Sequence, residues 1–245
     1  MQSANVLNVL LSHHEARLCE RVVQRAVLVA ADGNLLLAHG GKKQDFAPIA
    51  FTPKIFVADE RLRTRDHQRE FQSYTGIFQT VSDWMKSQAF EFVHFFEYDH
   101  LPLVADLNAR QLCRLREEKA DVLGFHLARI DGTNHPHFLR QAAFPEFGRL
   151  LTSVSRREDH DVILSMFVTG SFWTREAFEE VARIREPCPV YFEVYLPTVA
   201  HHLGFRLRDY GEQDRFVSPS GDWSRKIDKA KREGAWTLHP VKKLV

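Results

Sequence analysis

Two carboxylic acids, with one residue between them, lie in a stretch near the middle of the chain that begins with apolar residues. The stretch has the sequence VHFFEYDHLPL over residues 93–103 and carries Glu97 and Asp99. An apolar strand is normally covered on both faces, so a charge is tolerated mainly at its end, where it can face a ligand or a metal ion. Side chains alternate along an extended backbone, so both carboxylates should face one side and repel unless a cation lies between them. We therefore predict that Asp99 binds a divalent cation.

The nature of that cation follows from its ligands. Carboxylate oxygens favour Mg²⁺ or Mn²⁺, and such ions commonly keep substrate phosphates as further ligands. A histidine ligand would shift the preference from Mg²⁺ towards Mn²⁺. His239 is a candidate, because it lies in the motif WTLHPVKK over residues 236–243, with Lys242 three residues further on. The alternative is that His239 only packs at the C-terminal end of the chain.

Other polar groups also follow predicted strands. In open α/β sheets, ligands bind outside the carboxyl ends of the strands. The segment Ser12-His13-His14-Glu15 follows the apolar run 5–11 and matches the S-x-x-E capping box, so it is predicted to open a helix with an anion-binding N-terminus. Asp59 follows the predicted strand 54–58. The structural alternatives are that the two histidines are ordinary first-turn residues and that Asp59 caps a helix.

Apolar runs alternate with helical patterns along the chain, which is typical of an α/β sheet. Pro and Gly are scattered without a linker-like cluster, which favours a single domain. Thr174 is predicted to cap one helix and Gly204 to end another. Pro197 is awkward inside that second helix, so the helix is alternatively expected to begin there. Strands are predicted at 5–11, 35–38, 54–58, 92–96, 121–130, 163–168 and 205–210, and helices after residue 12, at 71–85, at 103–119, after residue 174 and at 192–203.

The composition narrows the class of protein. The 245 residues are 44% hydrophobic with a formal net charge of +1, so no overall basic field drives nucleic-acid binding. The three cysteines are widely spaced and odd in number, which indicates neither a disulfide framework nor a zinc site and fits a reducing compartment. Without an apolar run of about 20 residues or a signal peptide, the sequence predicts a cytoplasmic protein with no transmembrane segment. Peripheral contact with a membrane is left open.

The order of elements, with Glu97-Tyr98-Asp99 at the end of a mid-chain strand, resembles the nucleotide-sugar glycosyltransferases of the GT-A fold. Their D-x-D signature holds a divalent metal against the sugar-nucleotide diphosphate, and this chain has an E-x-D variant. The resemblance implies a single α/β domain with a Rossmann-type mixed sheet flanked by helices. It further implies a nucleotide-binding half over 1–120, an acceptor-side half over 121–210, and a polar tail over 211–245 that folds over the site.

The resemblance also implies roles for individual residues. SHHEARL, which begins at Ser12, resembles the first strand–helix turn that cradles the nucleotide, and TLHPVKK resembles a C-terminal motif that completes the metal site and contacts the diphosphate. The first acid is Glu97 where the family usually has Asp, so Asp99 is the preferred ligand, and the alternative for Glu97 is that it contacts only the ribose or a water. The implied ligands of Mn²⁺ or Mg²⁺ are Asp99, Glu97 and His239. The implied nucleotide-binding residues are Ser12, His13, His14, Glu15, Asp59, Glu97, Tyr98 and Lys242.

An inverting transferase also needs a carboxylate that takes the proton of the acceptor hydroxyl. Phe192-Glu193-Val194 resembles the E-D step at which many inverting members keep this base, although Val194 replaces the second acid. Glu193 is therefore expected to be catalytic alongside Asp99, with Asp161 and Asp214 as rivals. The structural alternative is that Glu193 is a first-turn acid favoured by the helix dipole. Whether transfer inverts or retains configuration is left open.

These features predict a hexosyltransferase-like enzyme that moves a sugar from a nucleoside-diphosphate sugar to a saccharide, lipid or protein acceptor. Two alternatives are kept. A nucleotidyltransferase shares the fold, but it usually has a glycine-rich, basic loop after the first strand, where this chain has SHHEARL. A non-catalytic sugar- or nucleotide-binding protein would keep the same architecture. A P-loop enzyme is disfavoured, because the sequence has no G-x-x-x-x-G-K-[ST] stretch.

Overall fold

A mixed seven-stranded sheet forms the centre of the molecule, with strand order β3-β2-β1-β4-β7-β6-β8. The computed structural model describes residues 5–30, 34–63, 74–141, 144–185 and 190–244. All neighbouring strands of this sheet are parallel except β7, which is antiparallel to both β4 and β6. The predicted α/β fold with a mixed sheet is confirmed. The strands are β1 Val6–Ser12, β2 Asn34–His39, β3 Lys54–Phe56, β4 Phe92–Glu97, β5 Leu101–Pro102, β6 Val122–Arg129, β7 Leu164–Thr174, β8 Leu207–Asp209 and β9 Thr237–Leu238.

Helices cover both faces of the sheet. On one face, α3, α6, α7 and α8 pack in a single large apolar cluster against β1 and β4, and on the other face α1 and α4 pack in two smaller clusters. Phe71, the expected start of α3, lies outside the described residues. The helices are α1 Ala16–Ala30, α2 Lys43–Phe46, α3 Tyr74–Met85, α4 Leu107–Glu117, α5 Pro136–Gln141, α6 Pro145–Val154, α7 Arg175–Arg183, α8 Phe192–His202 and α9 Ile227–Arg232.

The central strands are buried along their length because both faces of the sheet are covered. Every residue of β1 is buried, and the middle four of β4 are buried too. One of these four is His94, whose Nδ1 lies 3.0 Å from Oδ1 of the buried Asn8. Burial lowers the pKa of His94 to about 3, so its imidazole is neutral inside the sheet.

Strand β7 is longer than predicted and sets the shape of the sheet's edge. Ser171 of β7 pairs with Phe95 of β4, so the N-terminal half of β7 extends past the end of β4. At the last residue of β4, the backbone amide of Glu97 donates to Thr169 Oγ1 at 3.0 Å. At the other end of β7, the Thr174 side chain accepts from the amide of Ala177 at 3.3 Å, which confirms the predicted cap.

Helix α8 begins at Phe192 and carries Pro197 in its interior, so the hypothesis that it begins at Pro197 is wrong. The missing amide of Pro197 removes one helical hydrogen bond, but nearly every residue of α8 is buried, and this packing outweighs the local loss. Glu193 consequently lies in the first helical turn. The predicted end is confirmed, since Gly204 has a φ of 97° and its amide donates to the His201 carbonyl at 2.9 Å.

The capping box predicted at the start of α1 is wrong. Ser12 is the last residue of β1, and the helix begins only at Ala16. The Ser12 hydroxyl accepts from the amide of His14 at 3.4 Å and contacts Cys19 Sγ at 3.3 Å. The carbonyl of Glu15 accepts the first helical amides. Parallel pairing with β2 continues through Ser12, which keeps the chain extended where the sequence pattern favoured a cap.

The C-terminal segment 211–244, which was predicted to be a polar tail, contains an apolar cluster of its own. Five of its buried residues form one apolar cluster, against which side chains near β5 pack. Strand β9 pairs with β5 in a separate antiparallel ribbon. The helix predicted from residue 103 begins later, at Leu107, because this pairing keeps residues 101–102 extended. The residues of this cluster are Phe216, Ala230, Ala235, Leu238 and Val241.

Candidate functional site

Three metal-ligating side chains converge at the end of β4. Ligand atoms of Glu97, Asp99 and His239 all lie within 4.8 Å of one another, and among the described residues no other group of three does so. Strand β4 ends at Glu97, and Tyr98 and Asp99 form a turn in which the His100 amide donates to the Glu97 carbonyl at 3.0 Å. The two carboxylates are therefore brought together by a turn and not, as predicted, by strand alternation.

The donor set of this cluster fits a divalent cation. It offers two carboxylates and one imidazole, and these ligands suit Mn²⁺ better than a purely oxygen-lined site would. His239 Nε2 lies 3.4 Å from Asp99 Oδ1, and the two side chains are 13% and 11% exposed. Partial burial strengthens the electrostatic interaction of such acids with a bound cation and leaves space for a ligand from solution.

The C-terminal segment delivers His239 to this cluster through backbone hydrogen bonds. The amide of Val241 donates to the Asp99 carbonyl at 2.9 Å, and residues 217 and 239 form an isolated parallel bridge. In that bridge, the Ser218 amide donates to the His239 carbonyl at 2.9 Å. These hydrogen bonds fix the backbone on both sides of His239 and so direct its side chain to the cluster.

A small cavity of about 180 Å³ lies on one side of the cluster. The rings of His13, His14 and Tyr98 contact one another there, with 4.4 Å between the centroids of His14 and Tyr98. Burial and, secondarily, the charge of His13 lower the pKa of His14 to about 4, so this imidazole is neutral near pH 7. The residues lining the small cavity are Leu11, His13, Gly40, Leu62, Tyr74, Glu97, Tyr98 and Asp99.

Five of the residues predicted to bind the nucleotide are not among those that line the small cavity, and His14, whose ring contacts those of His13 and Tyr98, is one of them. Ser12 is buried, and its hydroxyl is used by the turn before α1, while Glu15 is exposed. Asp59 forms a 2.6 Å ion pair with Arg61 and lines a different depression. Lys242 is exposed, and its amide donates to Asp222 Oδ1 at 3.1 Å.

A larger cleft of about 610 Å³ lies on the other side of the cluster. It shares Tyr74 and Glu97 with the small cavity, so Glu97 lies where the two spaces meet. The N-terminal half of β7 and the bulged half of β6 form one wall of the cleft, and the start of α8 forms another. The residues lining the large cleft are Tyr74, Glu97, His126, Ala128, His135, His137, Ser165, Phe167, Thr169, Tyr191, Phe192, Glu193, Pro219 and His239.

Glu193 is the predicted base that the structure places in the large cleft. Burial raises the pKa of Glu193 to about 8, and a hydrogen bond with Tyr191 only partly opposes the shift. Of its rivals, Asp161 is exposed and is not among the described lining residues. Asp214 lies behind His126, where burial and a hydrogen bond with Asp209 raise its pKa to about 8 as well.

Several residues of the cleft wall were given no individual role from the sequence. The hydroxyl of Thr169 accepts a hydrogen bond from the amide of Glu97. Tyr191 stacks on His137 with 4.2 Å between the ring centroids, and His126 has a positive φ of 53°. The sequence held one signal of the last feature, because a glycine and a histidine in the apolar strand GFHLAR indicate a bulge. Thr169 follows the predicted strand 163–168, and ligands bind at such strand ends in open α/β sheets. The position of Tyr191 depends on long-range packing and had no local signal.

No family model and no curated protein matches the chain. Among solved structures, a glycosyltransferase involved in the glycosylation of the major capsid of PBCV-1 is similar over 96% of this chain and 92% of its own, at 12% identity and a TM-score of 0.50. A CMP:2-keto-3-deoxy-manno-octonic acid synthetase in complex with CTP is similar over 84% of this chain and 89% of its own, at 13% identity and a TM-score of 0.48. A mannosyltransferase from Pyrobaculum calidifontis in complex with GDP-Man and Mn²⁺ is similar over 85% of this chain, at 10% identity and a TM-score of 0.44.

These likenesses concern the fold. This chain spans 55% of the length of the mannosyltransferase. The likeness to the capsid-modifying glycosyltransferase covers nearly all of both chains, and it confirms the GT-A-like fold that the sequence resembles. Within the described part of the chain, the longest apolar helices are too short or too polar to cross a bilayer.

Proposed function

We propose that this chain is a metal-dependent glycosyltransferase that moves a sugar from a nucleoside-diphosphate sugar to an acceptor. The observation that carries the proposal is the convergence of Glu97, Asp99 and His239 between two cavities. The cluster follows a parallel strand at its carboxyl end, which is where ligands bind in open α/β sheets. In this proposal, the nucleotide sugar binds at this edge of the sheet.

In this proposal, each of the two cavities binds a different substrate. The small cavity, lined by segments that follow β1, β2 and β4, receives the nucleotide, with His13 and Tyr98 as aromatic contacts. The large cleft receives the acceptor. This division matches a nucleotide-binding half over 1–120 and an acceptor-side half over 121–210, with the tail 211–245 supplying His239.

Negative charge builds on the diphosphate as the sugar–phosphate bond breaks. A divalent ion held by Glu97, Asp99 and His239 would supply the neutralising charge when bound. Backbone hydrogen bonds fix the positions of these ligands, because the Asp99 carbonyl accepts from the C-terminal segment and the backbone of His239 is hydrogen bonded within that segment. Lys242 follows in the same segment with an exposed side chain, and it would add positive charge for the departing diphosphate.

Glu193 would take the proton of the acceptor hydroxyl. A base must be ionised to do so, and a pKa of about 8 leaves Glu193 mostly protonated at pH 7 but strongly basic once ionised. Its place in the first turn of α8 adds a helix dipole that favours the carboxylate. Asp99 contributes by binding the ion, so the two acids have separate roles.

The direct test is turnover. The purified chain is incubated with Mn²⁺ and each common sugar nucleotide, and the release of free nucleoside diphosphate is measured with and without a chelator. We expect release with at least one donor, lost on chelation and lost in Asp99→Asn. Release of pyrophosphate from a nucleoside triphosphate and a sugar phosphate would instead identify a nucleotidyltransferase. Tight binding of a sugar nucleotide with no product under any condition would favour the non-catalytic alternative.

A further inference from the structure

His126 has a backbone conformation that a histidine rarely adopts. Its φ is 53°, and the pairing of β6 with β7 shifts register on both sides of Phe125, so His126 sits in a bulge. The left-handed region is costly for residues with a side chain, and bulges commonly re-aim a side chain near a functional site. The surrounding contacts must therefore hold His126 in place.

Asp214 and Val217 supply those contacts. The His126 amide donates to Asp214 Oδ2 at 3.0 Å, and its Nδ1 lies 3.9 Å from the same oxygen. The imidazole Nε2 lies 2.6 Å from the Val217 carbonyl. Because a carbonyl only accepts, Nε2 carries the proton and donates this bond. The bulge thus ties the sheet to the C-terminal segment through one imidazole.

The bonded carbonyl belongs to the backbone that aligns His239. Residues 217 and 239 form a parallel bridge, in which the His239 amide donates to the Phe216 carbonyl at 3.2 Å. The ring of Phe167 contacts both imidazoles, edge-on to His126 with 5.1 Å between centroids and at 6.3 Å from His239. A displacement of Val217 would therefore move His239 relative to Asp99.

We propose that His126, held by Asp214, is a positioning residue that aligns His239 as the imidazole ligand of the cation site. The inference rests on the proposed function for the presence of a cation. It adds a specific consequence, because imidazole favours Mn²⁺ over Mg²⁺ whereas carboxylates accept both ions. Misalignment of His239 should lower the affinity for Mn²⁺ and leave the affinity for Mg²⁺ nearly unchanged.

The test is a double-mutant cycle of His126→Ala and His239→Ala, with Mn²⁺ affinity measured by the paramagnetic resonance of free Mn²⁺, and Mg²⁺ affinity by competition. We expect His126→Ala to weaken Mn²⁺ binding about tenfold, the size typical of residues that orient a ligand. In the His239→Ala background, the same change should have no further effect. His160→Ala removes an exposed histidine and serves as the control.

The cycle separates the inference from the proposed function. Unchanged Mn²⁺ affinity in His126→Ala, or an equal loss in both backgrounds, would overturn the positioning role while the cation site stands. No Mn²⁺ binding by the unchanged chain would overturn both. Because removal of His126 also frees the bulge, His126→Asn provides a second variant that tolerates a positive φ. Amide hydrogen exchange over residues 216–218 and 237–241 should quicken in both variants, and unchanged exchange would count against the link.

Discussion

The small cavity and the large cleft meet at Glu97, yet the chain builds them in different ways. The small cavity is lined mainly by short segments that follow the parallel strands β1, β2 and β4. The large cleft takes its walls from the antiparallel strand β7, the bulge in β6, the start of α8 and the C-terminal segment. One space is thus assembled from neighbouring strand ends, and the other from pieces distant in the sequence.

On both sides, burial shifts the pKa of an ionisable group in the direction that favours its neutral form. It lowers the pKa of His14 to about 4 beside the small cavity and raises that of Glu193 to about 8 in the large cleft. Both groups are therefore largely neutral near pH 7. The two neighbouring carboxyl groups of the candidate cation site, Glu97 and Asp99, lie between the two spaces.

The largest effect is expected at the boundary itself. Asp99→Asn keeps the size of the side chain but removes a charged ligand, so turnover should fall by at least about 100-fold. The melting temperature should change little, because Asp99 carries no structural ion pair besides that with His239 among the contacts described. Asp106→Asn, in an exposed pair with Arg110, is the matched control. Full activity in Asp99→Asn would remove this residue from the site.

On the cleft side, Glu193→Gln should lower kcat by roughly 100-fold or more, with donor KM and Mn²⁺ affinity unchanged. The wild-type rate should rise with pH through the pKa of about 8, because only the ionised carboxylate accepts a proton. Steady-state kinetics across this range give both results. A rate that is flat through pH 8 would contradict the role of Glu193 as the base.

The same carboxyl should leave a mark on stability. The pKa of Glu193 is raised from 4.5 to about 8 on folding, so between these values the folded chain holds a proton that the unfolded chain has lost. The free energy of unfolding should therefore fall as pH rises across this window. Glu193→Gln should flatten that fall and be more stable than wild type above it. Denaturant unfolding at several pH values measures the difference, and parallel curves for the two chains would refute it.

His239→Ala should have a smaller effect than Asp99→Asn, because both carboxylates remain. We expect the Mn²⁺ concentration that supports half-maximal turnover to rise about tenfold, with a weaker change for Mg²⁺. A metal titration at saturating donor measures it. An identical titration curve would exclude His239 from the cation site.

Ser12→Ala tests the small cavity and should have the smallest effect. The Ser12 hydroxyl serves the turn before α1, so its loss should cost about 1 kcal/mol and lower the melting temperature by roughly 2–4 °C. Donor KM should stay within about twofold of wild type, since such a change is worth less than 1 kcal/mol. Thermal unfolding and donor kinetics check the two parts. A large rise in donor KM would restore Ser12 to the nucleotide site.

The contrast between the two spaces also explains what the sequence could predict. The parallel strands are continuous apolar runs with polar residues at their ends, so β4 and the cluster at Glu97 and Asp99 were predictable from local pattern. His239 was predictable as a candidate from the unusual motif around it. The tertiary contacts that bring His239 to Asp99 could not be derived from the sequence spacing of residues, because the two positions are 140 residues apart.

The failures have physical causes of the same kind. The capping box at Ser12 was overridden by pairing with β2, and the break expected at Pro197 was overridden by burial of α8. The bulge at His126 depends on β7 and Asp214, which lie far along the chain. Local propensity is a weak constraint wherever tertiary contacts are dense, and the wall of the large cleft consists of such contacts.

The most direct test of this account is the anomalous scattering of manganese in crystals soaked with Mn²⁺ and a nucleoside diphosphate. The account predicts one strong peak bounded by the carboxylates of Glu97 and Asp99 and by His239 Nε2, with the diphosphate on the side of the small cavity. Ordered nucleotide without a peak at Asp99, or a peak held by other residues, would contradict it.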